Sequence, residues 1–142
     1  MERTLADITD REVEIIMTIA LGKTTGQAAR ALGLSEFTVK SHLQRIAQAT
    51  ESRNTPHSLD ILIAAERIRP LPAIGLRRLS YAGKTILRDI ANGWENPQIA
   101  HRQDLTLGQV QYAVKGIFRD LEADNRTQAV LRGYQTGNLI IR

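Results

Sequence analysis

Sliding this 142-residue sequence along itself by 71 positions brings its two halves into register without a gap. Ile15 then meets Ile86, Ile19 meets Ile90, Ala20 meets Ala91 and Gly22 meets Gly93. Further along, Gln27 meets Gln98, Ala29 meets Ala100, Leu34 meets Leu105, Val39 meets Val110, Ile46 meets Ile117 and Asn54 meets Asn125. Most of these positions are apolar or turn-forming, as expected of halves that share a fold but not a surface. A duplicated chain of this length gives two units of about 65 residues, each near the lower limit of independent stability. Packing of the units on each other relieves that limit.

The order of helix starts and stops carries the same message. Thr9-Asp10-Arg11-Glu12 reads as a capping box, with Ile8, Val13, Ile16 and Ala20 at helical spacing and Gly22 as a stop. Thr24 or Thr25 caps a short second helix carrying Ala28, Ala29 and Leu32, and Gly33 makes a turn. Ser35 caps a third helix with Val39, Leu43 and Ile46 on one side; Leu59, Leu62 and Ile63 mark a fourth. In the second half Ser80 caps a helix striped by Ile86, Leu87 and Ile90 and stopped by Gly93. Asn96-Pro97 reads as a cap followed by proline at the first helical position. Thr106 caps the third helix, with Val110, Val114 and Ile117 inward, and Ala129, Val130 and Tyr134 belong to the fourth. Between the halves, Arg69-Pro70-Leu71-Pro72 rules out a continuous helix. The boundaries follow: a first domain over 1–68, a linker over 69–78 and a second domain over 79–142.

Composition narrows the function classes. With 42% apolar and 24% charged residues the chain is globular, and without cysteine it forms neither disulfides nor cysteine-based zinc sites. The longest apolar runs, such as Ile61-Leu62-Ile63-Ala64-Ala65, are too short to span a bilayer, and MERTLADITD has no apolar signal core. The expectation is a cytoplasmic, nucleoid-associated protein without a membrane partner. Net charge is +4, and all of it falls in the second half: residues 1–71 hold nine Lys/Arg against nine Asp/Glu, residues 72–142 ten against six. A basic balance favours a polyanion.

Gly22-Lys23-Thr24 resembles the tail of a phosphate-binding loop, but Met17 stands where that loop needs a glycine. His42, His57 and His101 lack metal-ligand spacing, and no serine, histidine and carboxylate set forms a catalytic motif. No catalytic, metal or cofactor-binding residue is expected, and Trp94 reads as a packing residue.

The segments ITDREVEIIMTIALG, QAARALGLS and TVKSHLQRI, in that order, resemble the LuxR/FixJ-type (GerE-like) helix-turn-helix domain. DIANGWENPQIA, LTLGQVQYAVKGI and NRTQAVLRG repeat the resemblance in the second half. The implied fold is all-α: two tandem four-helix LuxR-type helix-turn-helix units, packed as a pseudo-dimer. The second unit departs from the pattern at Ala82-Gly83, which replaces Arg11-Glu12 and removes the capping box, and at Gln103, which replaces Leu32.

A turn of about 100° per residue, with Val39, Leu43 and Ile46 inward, leaves Phe37, Ser41, Gln44 and Gln48 on the opposite face, flanked by Lys40 and Arg45. In the second unit that face is Gly108, Tyr112, Lys115 and Arg119, flanked by Gln111. The resemblance implies that the third helix enters the DNA major groove. It assigns base reading to Lys40, Ser41 and Gln44, and to Gln111, Tyr112 and Lys115 in the second unit. Backbone or flanking contacts are expected from Thr38, His42, Arg45, Gln48, Gln109 and Arg119.

The expected function is a sequence-specific double-stranded DNA-binding protein, a small transcriptional regulator reading an imperfect palindrome. It would act as a monomer with an internal pseudo-dimer or as a homodimer. The alternative is a protein-interaction module binding RNA polymerase or another regulator.

Overall fold

Eight α-helices and one short 3-10 turn, Leu5–Asp7, make up the regular structure of the computed structural model, which describes residues 3–141. The helices are α1 (Asp10–Ala20), α2 (Thr25–Leu32), α3 (Glu36–Thr50), α4 (Thr55–Ala64), α5 (Tyr81–Ala91), α6 (Asn96–Gln103), α7 (Leu107–Asp120) and α8 (Arg126–Gln135). Each of α5 to α8 starts 71 residues after its counterpart among α1 to α4. The same offset relates the left-handed turn residues: Gly22 and Gly93, Gly33 and Asp104, Glu51 and Glu122, Glu66 and Gly137.

Local chemistry explains the helix starts. The hydroxyls of Thr9, Thr24, Ser35, Ser80 and Thr106 each accept an amide of the first turn, as do the side-chain carbonyls of Asn54 and Asn125. Such caps are each worth about 1 kcal/mol. Of the two candidates for α2 the cap is Thr24. The cap of α6 differs from the sequence expectation. Glu95, not Asn96, stands at the cap, and the Gln98 side chain accepts from its backbone amide at 2.9 Å. Asn96 is instead the first helical residue, and its Oδ1 accepts from Arg126. As expected, α5 has a cap but no capping box, because Gly83 offers no side chain to reach back.

Packing divides unevenly. Ile15, Ile19, Ala28, Ala29 and Val39 form a small core within α1, α2 and α3. A larger one runs from Ile16 and Ile46 through Leu59, Leu62 and Ile63 of α4 to Leu87, Ile90, Ile99, Val110 and Val130 of the second half. Helices α4 and α8 pack against each other; α1 packs on α8, and α5 packs on α4. A fully buried Leu or Ile at such a junction contributes about 1.5–3 kcal/mol.

Some contacts across the two halves fall at or near equivalent positions. Asn54 Nδ2 donates to the Gly93 carbonyl at 3.2 Å, and Asn125 Nδ2 donates to the Ile19 and Lys23 carbonyls at 3.0 and 3.3 Å. A β-carbon on Gly93 would strike Arg53 and His57, and one on Gly22 would strike Gln128 and Asp124, their counterparts 71 residues on.

One buried network across the halves has no counterpart at the positions 71 residues away. Asp60 of α4 is buried and accepts from Arg88 of α5 and from the Tyr134 hydroxyl of α8. Offset by 71, these three positions hold Leu131, Met17 and Ile63.

Residues 65–80 contain no helix, yet they are tied down. Ile68 and Leu79 are buried, Arg67 donates to the Leu5 and Ile8 carbonyls, and the Ala73 amide donates to Gln135.

Candidate nucleic-acid interface

Helices α2 and α3 meet through a tight turn in which Gly33 adopts φ +69°. Any other L-residue would be strained there, although a β-carbon would meet nothing within 4 Å. Helices α6 and α7 turn at Asp104, φ +55°, a position that aspartate tolerates better than most residues. Val39 and Ile46 anchor α3 inward; Val110, Val114 and Ile117 anchor α7. Each anchored helix therefore presents a fixed outer face.

On α3, Lys40, Gln44, Arg45 and Gln48 are exposed, as is Phe37 at 80%, while Ser41 is half-buried. On α7, Gln111, Tyr112, Lys115 and Arg119 are exposed, Tyr112 at 82%. Tyr112 and Lys115 border an open hollow floored by Val114 and Phe118.

Four of the expected flanking residues have internal partners. The Thr38 hydroxyl lies 2.9 Å from Ser35 Oγ. Gln109 Oε1 accepts from the Thr106 amide at 2.9 Å, completing the α7 capping box. His42 Nδ1 lies 3.1 Å from Glu12 Oε2, which ties α3 to α1. Arg119 is largely exposed, with Nε 3.4 Å from Asp120.

Glu12 is the hub of that α1–α3 tie and is 2% exposed. Burial acts to raise its pKa, but hydrogen bonds from Arg3, His42 and the Thr9 amide outweigh burial and hold it at about 2. The carboxylate stays charged and keeps α3 in place.

Two features of the surface were not assigned from sequence. Glu36, in the first turn of α3, lies with Oε1 3.4 Å from Lys40 Nζ and accepts from the Thr25 hydroxyl at 2.8 Å. The hydroxyl first, and Lys40 second, lower the Glu36 pKa. The four-residue spacing of Glu36 and Lys40 is the signal that would have found the pair. Trp94 has the Arg53 guanidinium 3.9 Å and the Arg102 guanidinium 4.9 Å from its ring centroid. It packs against the core, as expected of a packing residue, and also stacks with these cations; no local pattern announces Arg53, which lies in the other half.

Residues 6–58 match the family model of bacterial regulatory proteins, luxR family. That span is a LuxR-type helix-turn-helix domain. It takes in α1, α2, α3 and the start of α4. Over 47 residues, 33% of this chain, the sequence is 43% identical to the transcriptional activator protein AhyR of Aeromonas hydrophila. The same identity over the same length relates it to the transcriptional activator protein AsaR of Aeromonas salmonicida. The matched stretch spans 18% of each of these relatives. No solved structure matches the chain.

Among the described residues no helix is long and apolar enough to cross a membrane. Nor do any three His, Cys, Asp or Glu side chains group as a metal site.

Proposed function

We propose that this chain is a sequence-specific double-stranded DNA-binding transcriptional regulator of the bacterial cytoplasm. Both halves would carry the LuxR-type fold and face each other as a pseudo-dimer within one polypeptide. The observation that carries this reading is the close approach of the halves at equivalent positions, Gly93 to Arg53 and His57 and Gly22 to Asp124 and Gln128, since a two-fold interface uses the same patch from both sides. The repeated helix starts and left-handed residues support it further.

In this reading α3 and α7 enter successive major grooves about 34 Å apart. Lys40, Ser41 and Gln44 read bases in one half-site, and Gln111, Tyr112 and Lys115 read them in the other. Arg45, Gln48 and Arg119, all exposed, reach the backbone. Thr38, His42 and Gln109 act mainly by holding the reading helices in position, given their internal partners. Because the two triplets differ, the operator is an imperfect palindrome.

Selection of sites from a random duplex library by the full chain tests the proposal. Two unlike half-sites at fixed spacing are expected, with binding that falls steeply as salt rises. No enrichment at low salt overturns the proposal and favours a protein partner such as RNA polymerase.

A further inference from the structure

The salt bridge at the start of α3 has a shape that matches a base pair. Glu36 and Lys40 lie on successive turns of the outer face, 52% and 64% exposed, with oxygen and nitrogen 3.4 Å apart. An ordinary exposed pair of this spacing is mobile and worth little. This one is oriented from outside its own helix, because Thr25 of α2 donates to the same Glu36 Oε1 at 2.8 Å.

In the major groove a G·C pair presents the cytosine N4 donor beside the guanine O6 acceptor. Those two atoms are themselves hydrogen-bonded, so they sit about 2.7–3.2 Å apart. A carboxylate beside an ammonium is the complementary array. The first residues of a recognition helix are the ones that reach base edges.

The equivalent positions of α7 are Leu107 and Gln111, both exposed, with Leu107 at 44%. Apolar contact suits the thymine methyl, and a glutamine amide suits adenine N6 and N7. Consistent with the loss of the acid, Asn96, which stands where the first half has Thr25, turns to Arg126 instead.

We infer that Glu36 and Lys40 together read one G·C pair, and that Leu107 and Gln111 read A·T at the equivalent step of the other half-site. This inference rests on the DNA-binding reading proposed above.

The test is site selection by the full chain and by two swaps, Glu36→Leu with Lys40→Gln, and Leu107→Glu with Gln111→Lys. All four side chains are exposed, so both swaps leave the core untouched. The expected wild-type site has G·C at one step and A·T at its equivalent. The first swap turns the G·C step to A·T, with about a tenfold loss on the wild-type duplex, and leaves the other half-site unchanged. The second swap does the reverse. Enriched sites with the same base pair at both steps, or swaps that bind without changing preference, overturn the inference alone. A wild-type chain that enriches nothing at low salt overturns the DNA-binding reading and this inference with it.

Discussion

Asn125 donates its side-chain amide to the carbonyls of Ile19 and Lys23, while its counterpart Asn54 donates to the carbonyl of Gly93. Each side-chain carbonyl meanwhile caps its own helix, α8 or α4. One residue type at one position thus starts the fourth helix and ties it to the end of the other half's first helix.

Replacing either asparagine by alanine removes a cap worth about 1 kcal/mol and a cross-half hydrogen bond worth about another. Asn54→Ala and Asn125→Ala are each expected to lose about 2 kcal/mol in urea unfolding of the full chain. An exposed cap without a second role, Ser80→Ala, is expected to lose only about half as much.

The Asp60–Arg88–Tyr134 network predicts a larger and asymmetric effect. Arg88→Met leaves the Asp60 carboxylate buried without its cation, which costs about 3–5 kcal/mol. Replacing all three by the residues found 71 positions away (Asp60→Leu, Arg88→Met, Tyr134→Ile) removes the charges together. The triple variant is expected to recover most of that loss, because an apolar substitute for a buried ion pair is often neutral or stabilising. Urea titration of the two variants beside the wild type checks both statements.

Acid sensitivity follows from Glu12. Its folded pKa of about 2 lies below its ordinary value of 4.5. The stability it contributes is therefore fully present above pH 4.5 and is lost as pH falls toward 2. The expected loss over that window is on the order of 2–3 kcal/mol. Glu12→Gln is expected to be less stable at neutral pH and to show a flatter profile between pH 5 and pH 2, measured by thermal melts across that range.

Much of this architecture is legible in the sequence because its signals are local. The caps at Thr9, Ser35, Ser80 and Thr106 depend only on a hydroxyl and the next three residues. The outer face of α3 follows from the spacing of Val39 and Ile46. The sequence puts the α6 start one residue late because Asn96 is ordinarily the better cap; in the fold its Oδ1 is taken by Arg126, 30 residues away. The same distance in sequence hid the engagement of His42 by Glu12. Asp60 was hidden for a related reason: its partners Arg88 and Tyr134 lie 28 and 74 residues on. An acidic residue between Leu59 and Leu62 was the only local hint, and it names no partner. Pairing across a chain is set by tertiary packing, which local periodicity does not encode.

We propose that one chain reads duplex DNA with both α3 and α7. A hydroxyl-radical footprint of the full chain on its selected site, taken together with the binding stoichiometry, tests it most directly. One chain per duplex and two protected patches about one helical turn apart are expected. Lys40→Ala with Gln44→Ala should remove one patch, and Tyr112→Ala with Lys115→Ala the other. A single patch that disappears with the first pair of substitutions and ignores the second, or two chains bound per site, would contradict it.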